Sequence, residues 1–254
     1  MNAPRTFVIG DIHGCADEID RLLETLAPSS ADVVVFLGDY IDRGPASKAV
    51  IDRLLRLRRE GPRCIFLKGN HEDMFLGFLG RCGLYGDAFL ANGGETTLRS
   101  YGLANRAGPV TAELLPPDHM DFLLSLEMYS QHGECFCVHA GLAPTRPLAE
   151  QQVEDMLWIR NEFICSAHPF PFTVIFGHTP QREVLLDLPY KIGLDTGLVY
   201  WNQLSCLELH DKRLYQIQRG ERNVRSRSLQ AQFAQRRRHP SSQELPSSQR
   251  EECP

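Results

Sequence analysis

The chain has 254 residues, 43% hydrophobic and 23% charged, proportions that exclude a collagen-like, coiled-coil or wholly disordered protein. Its net charge of −5 is uneven: residues 219–254 carry eight Arg against four Glu, which leaves −9 on the remainder. A body that acidic argues against non-specific nucleic-acid binding, which needs a basic face, and no apolar run approaches the roughly 20 residues that cross a bilayer.

Met1-Asn2-Ala3-Pro4-Arg5 leads directly into Phe7-Val8-Ile9 without a leader-like apolar stretch, so a cytoplasmic location with reduced cysteines is expected. Strand-like apolar runs lie at residues 6–9, 33–37, 64–67, 135–138, 173–176, 191–194, 205–209 and 214–217. Helical spacing falls between them. Ile19, Leu22, Leu23 and Leu26 share a face of 16–26, and Val50, Ile51, Leu54, Leu55 and Leu57 recur within 47–59. A third helix is expected at 118–126 and a weaker one at 148–158. Such alternation is the signature of an α/β layer architecture. Residues 75–117 are rich in Gly and aromatics and read first as core packing, with a substrate-selecting cap as the alternative. Past Gly220 the composition turns to Arg, Ser, Gln and Pro, so 1–218 is expected to form the folded body and 219–254 a solvated basic tail. A short helix around Leu229 and Phe233 is the other option for the start of that tail.

Several strand-like runs end in a Gly followed by a ligand-type residue and a turn: Gly10-Asp11, Gly38-Asp39, Gly69-Asn70 and Gly177-His178, with Val138 followed directly by His139. Open α/β sheets build their sites beyond the carboxyl ends of strands, so these groups are expected to converge on one rim. Asp11 and His13 are alternate residues at a strand end and can chelate one ion together. Asp39 and Asp42 offer two carboxylates beside Arg43. The His, Asp and Asn side chains among them make a mixed nitrogen and oxygen donor set without thiolate, suited to manganese, iron or zinc.

In order, the motifs read G-D-I-H-G, G-D-Y-I-D-R-G-P, G-N-H-E, H-A-G and G-H-T. In these the sequence resembles the metallophosphoesterases, and within them the serine/threonine phosphoprotein phosphatase family, in its compact bacterial and phage-type form. The resemblance covers nearly the whole body. It implies a sandwich of two mixed β-sheets face to face, helices on the outer faces and a dinuclear metal site at the C-terminal strand ends. It also assigns roles. Asp11 and His13 correspond to ligands of one metal, Asp39 to the carboxylate shared by both, and Asn70, His139 and His178 to the remaining ligands of the other. Two ions, Mn²⁺ before Fe or Zn, would share a hydroxide that attacks phosphorus directly.

His71 corresponds to the general acid and Asp42 to its hydrogen-bonded partner; a side chain directly after Asn70 should leave in another direction and miss that metal. Arg43 and Arg160, with Asn70, correspond to the contacts on the substrate phosphate, for which guanidinium forks are suited. The expected activity is hydrolysis of phosphoserine and phosphothreonine in a protein or peptide substrate, with neither nucleic acid nor membrane as partner. The alternative is the related diadenosine tetraphosphatase, which cleaves a phosphoanhydride. That relative typically carries G-N-H-D and lacks an Asp before its second-motif arginine, so Glu72 and Asp42 favour the phosphatase.

Overall fold

The computed structural model describes residues 3–201 and 203–235. In chain order, the N-terminal half contains β1 (Thr6–Ile9), α1 (Ala16–Leu26), β2 (Val33–Phe36), α2 (Ser47–Glu60), β3 (Arg63–Phe66), α3 (Asn70–Phe78), α4 (Gly94–Ser100) and α5 (Pro117–Leu124). The second half adds β4 (Tyr129–His132), β5 (Cys135–Val138), α6 (Val153–Trp158), α7 (Asn161–Ile164), β6 (Thr173–Phe176), β7 (Leu185–Asp187) and β8 (Lys191–Gly193). It closes with α8 (Leu198–Trp201), β9 (Gln203–Glu208), β10 (Arg213–Gln218), β11 (Arg225–Ser228) and α9 (Gln230–Ala234).

The strands form two mixed sheets, ordered β11-β10-β9-β1-β2-β3 and β4-β5-β6-β8-β7. In the first, β1, β2 and β3 are parallel, as the crossover helices α1 and α2 require; β9 adds antiparallel to β1, and β10 antiparallel to β9. In the second, β5, β6 and β8 are parallel, with β4 and β7 antiparallel at the edges.

Side-chain alternation sorts each buried strand between two cores. Phe7, Ile9, Val34 and Phe36 meet α1 and α2, whereas Val8, Val35 and Leu37 meet Cys137, Ile175 and Ile192 of the other sheet. Phe136, Val138, Val174 and Phe176 turn to the far side, where Ile159 and Phe163 cover them. The result is the expected sandwich with helices outside. Part of 75–117 is core: Phe75, Phe89 and Leu98 are buried with α1 and α2, and the Phe75 and Phe89 rings stack at 4.8 Å, whereas Tyr85 and Leu90 are exposed. No helix among the described residues is long and apolar enough to cross a membrane. Cys15, Cys64, Cys82, Cys135, Cys137 and Cys206 are free thiols, as expected; Cys165 is disulfide-bonded and departs from that reading.

The expected boundary at residue 218 is corrected. β11 pairs with β10, the backbone N–H of Gly220 donates to Glu18 at 2.9 Å, and Leu229 is fully buried between the sheets with Phe233 packed beside it. The short helix at 230–234 forms, as the alternative reading allowed. Val224, Leu229 and Phe233 are scattered through an otherwise polar run, yet they suffice to anchor the segment once an edge strand exists to receive it. The remainder of the expected tail lies outside the described residues. Leu229→Ala should therefore destabilise by about 2–5 kcal/mol, on the order of 5–15 °C in Tm for a domain of this size. An unchanged Tm in a thermal melt would return Leu229 to the surface.

Candidate metal centre

The motif-bearing strand ends converge as expected. β1 runs into Asp11 and His13, β2 into Asp39, β3 into Asn70 at the start of α3, β5 into His139 and β6 into His178; none of these six residues is more than 4% exposed. The backbone is bent hard to achieve this. His13, Asp39, Asp42, Arg43 and His178 all adopt positive φ, between 46° and 70°, a conformation that costs on the order of 1–3 kcal/mol for each non-glycine residue.

Specific hydrogen bonds hold these turns. The Glu72 carboxylate accepts from the backbone N–H groups of Asp39 (2.9 Å), Tyr40 (2.8 Å), Ile41 (3.2 Å) and Gly69 (3.0 Å), tying the second motif to the third. Asp11 Oδ2 accepts the His178 N–H at 3.0 Å, tying the first to the fifth. Gly177 has to be glycine for that approach, because a Cβ there would collide with Asp11 Oδ1.

Asp39 is the common member of two buried groups, His13–Asp39–His71 and Asp39–His139–His178, in each of which the donor atoms lie within 4.8 Å of one another. Its Oδ2 lies 3.5 Å from His13 Nε2 and its Oδ1 3.4 Å from His139 Nε2. Asn70 Oδ1 faces His139 Nε2 at 3.0 Å and His178 Nδ1 at 2.9 Å.

The other ring nitrogens are already committed. His13 Nδ1–H donates to Ile41 O at 2.9 Å, His139 Nδ1–H to Leu37 O at 2.8 Å, and His178 Nε2–H to Trp158 O at 3.3 Å. Such contacts fix the tautomer of a ligating imidazole. They leave Asn70 Oδ1, His139 Nε2 and His178 Nδ1 as three lone-pair atoms facing one another with no proton to share. A cation resolves that arrangement. Burial pushes the His13 imidazole down to about 3 and lowers those of His139 and His178, so the rings are neutral at pH 7, the form that ligates. Asp11 Oδ1 is buried without a partner beside the cluster, a further oxygen that a cation would satisfy. The residues present therefore fit divalent metals.

His71 is 1% exposed and its Nδ1 lies 2.7 Å from Asp42 Oδ2, while its Nε2 points back to within 3.9 Å of Asp39 Oδ2. Asp42 is fully buried. Arg43 Nη1 reaches His13 Nε2 at 2.8 Å on one side, and Arg160 Nη1 donates to His178 O at 2.9 Å on the other. Every site residue expected from the sequence thus lies in or around this cluster, Asp11 just outside the two tight groups. What sequence reasoning missed is the support: the four N–H groups gathered by Glu72, and Thr97, whose hydroxyl donates to Asp42 Oδ1 at 2.6 Å. The Asn92-Gly93-Gly94 turn, which introduces the helix bearing Thr97, was the one available signal for the latter.

Residues 4–212 match the calcineurin-like phosphoesterase family. Serine/threonine-protein phosphatase 1 of Salmonella typhimurium is 30% identical over 217 residues, covering 82% of this chain and 93% of that protein. An asymmetrical bis(5′-nucleosyl)-tetraphosphatase of Anoxybacillus flavithermus is 26% identical over 226 residues, covering 79% and 88%. In fold, the crystal structure of a cold-active protein tyrosine phosphatase matches with a TM-score of 0.66 at 19% identity, over 89% of this chain and 79% of that one. A family match across most of the body, on a sandwich whose strand ends gather a buried His, Asp and Asn cluster fit for divalent cations, makes this chain a member of the calcineurin-like phosphoesterases, metal-dependent hydrolases of phosphate esters.

Proposed function

We propose that the protein is a cytoplasmic phosphatase that hydrolyses phosphoserine and phosphothreonine in proteins or peptides, using two divalent ions with Mn²⁺ preferred. The observation that carries this reading is the buried Asp42–His71 pair, 2.7 Å apart, with His71 Nε2 directed at Asp39 between the two ligand groups. When bound, two ions supply Lewis acidity and a water of lowered pKa for in-line attack on phosphorus. Asp11 and His13 would hold one, Asn70, His139 and His178 the other, and Asp39 both. Arg43 and Arg160, with Asn70, would bind the phosphate oxygens and offset the charge that develops on them. His71 would hold a proton at Nε2 for the departing oxygen, and Asp42 would keep Nδ1–H in place.

The second reading, hydrolysis of a dinucleoside polyphosphate, is favoured by the bis(5′-nucleosyl)-tetraphosphatase likeness at comparable identity. The two differ in leaving group. Serine alkoxide leaves poorly without a proton, whereas a nucleotide phosphate is a far better leaving group and has less need of a buried acid. With Mn²⁺, kcat/KM is therefore expected to be higher on phosphoserine and phosphothreonine peptides than on diadenosine tetraphosphate. A tenfold preference for the dinucleotide in that assay would make the second reading the correct one and leave the family and fold intact.

A further inference from the structure

We infer that Thr97 is a positioning residue for the Asp42–His71 pair, acting through the hydroxyl that it places against the Asp42 carboxylate. This rests on the reading of His71 as the proton donor. Thr97 belongs to α4, and it lies 55 residues from Asp42 in sequence.

Among the described residues the Thr97 hydroxyl has three hydrogen-bond contacts. A hydroxyl has one proton to give and two lone pairs to receive. Thr97 Oγ1 gives its proton to Asp42 Oδ1 at 2.6 Å. It receives the Asp42 backbone N–H at 2.9 Å, and, its own proton being spent, it also receives the Ser47 hydroxyl proton at 2.9 Å. Ser47 Oγ in turn stands 3.1 Å from the Asp42 N–H. Asp42, Ser47 and Thr97 are all fully buried, out of reach of bulk solvent. One Asp42 oxygen is thereby held by Thr97 and the other by His71 Nδ1 at 2.7 Å.

The same turn holds the backbone. Asp42 and Arg43 both have positive φ, 70° and 64°. The Arg43 N–H donates to Gly93 O at 3.2 Å, one residue before α4 begins, so α4 grips both strained residues, Asp42 through Thr97 and Arg43 through Gly93. A Thr that only docked a helix would have no reason to spend its single proton on the carboxylate that orients the acid. Asp42 without that bond is free to rotate about its side chain, and the Nδ1–H of His71 loses the fixed acceptor that aims Nε2.

The test compares wild type, Thr97→Val, Thr97→Ser, His71→Asn and the Thr97→Val/His71→Asn double variant in the full-length Mn²⁺-loaded protein, with metal content and Tm recorded for each. Thr97→Val keeps the shape and removes the hydroxyl. It is expected to lower kcat on a phosphoserine peptide by about 10- to 100-fold, with a clearly smaller loss on p-nitrophenyl phosphate, whose leaving group needs no proton. KM and metal content should hold, and Thr97→Ser should restore the wild-type ratio between the two substrates. In the His71→Asn background Thr97→Val should add no further loss, because both changes disable one unit.

Equal losses on the two substrates, or an additional loss in the double variant, would overturn the inference and leave Thr97 a docking residue. If His71→Asn shows leaving-group dependence and Thr97→Val does not, only the Thr97 inference fails. If His71→Asn itself shows none, the proton-donor reading fails and Thr97 falls with it. Should Thr97→Val not fold, Ser47→Ala strips one of the two bonds that Thr97 Oγ1 accepts, and the same substrate pattern is expected at a few-fold scale; its absence there overturns the inference equally.

Discussion

Asp39→Ala is expected to abolish metal retention and lower kcat by about 10³-fold or more, since metal ions supply several kcal/mol of transition-state stabilisation and each 1.36 kcal/mol is a factor of ten. The reason is geometric. Asp39 is the member shared by both ligand groups, with one oxygen 3.5 Å from His13 Nε2 and the other 3.4 Å from His139 Nε2. Removing it damages two positions at once, whereas His13→Ala and His178→Ala each damage one and are expected to retain part of the metal. Backbone strain complicates the alanine, because Asp39 sits at φ 52°. Asn tolerates the left-handed region better than Ala, so Asp39→Asn keeps the turn and isolates the loss of charge. Elemental analysis of purified variants, together with turnover on a phosphoserine peptide, reads both effects. In wild type, a strong chelator should remove activity, and Mn²⁺ should restore it better than Mg²⁺, given the three imidazole donors. Full metal content and turnover in Asp39→Ala would dismantle the centre as described.

The parts of this molecule that were legible in the sequence are those where one residue's neighbours in the chain are also its neighbours in the site. β1, β5 and β6 begin and end where the apolar runs do, and α1 matches its periodic face, because each buries a simple one- or two-sided pattern. Four of the six ligand residues follow Gly at strand ends and the other two, His13 and His139, stand within the same strand-end turns, so their convergence was readable once the sheet was. α3 was not. Asn70 through Leu76 are all buried, and a helix buried all round has no polar face to give it a period. Three strands were missed for the opposite reason. β4, β7 and β11 lie at sheet edges, and Arg225–Ser228 is exposed throughout with no apolar residue at all. Their pairing is dictated by backbone partners rather than side chains. Thr97 is the clearest limit: the Asn92-Gly93-Gly94 turn marks the start of its helix, but the contact with Asp42, 55 residues away, is supplied only by the folded chain.

His71→Asn is expected to lower kcat on a phosphoserine peptide by about 10²–10⁴-fold, the usual worth of a general acid. On p-nitrophenyl phosphate the loss should be clearly smaller, because a nitrophenolate departs readily without a proton. Asn keeps a polar side chain of similar size but cannot donate the proton, so the comparison of substrates isolates proton transfer from packing. The structure leaves two physical options for this imidazole. Its Nε2 lies in the same tight group as His13 and Asp39, an arrangement open to a metal ligand. Its Nδ1 is 2.7 Å from the buried Asp42 carboxylate, an arrangement that suits a proton donor. Metal content separates them: it should be unchanged in His71→Asn if the ring donates a proton, and reduced if the ring ligates. Asp42→Asn should show the same leaving-group dependence in milder form, since it loosens the imidazole without removing it. Equal losses on both substrates with metals intact would mean that His71 does not protonate the leaving oxygen. Loss of metal would mean that the ligand set must be redrawn with His71 inside it.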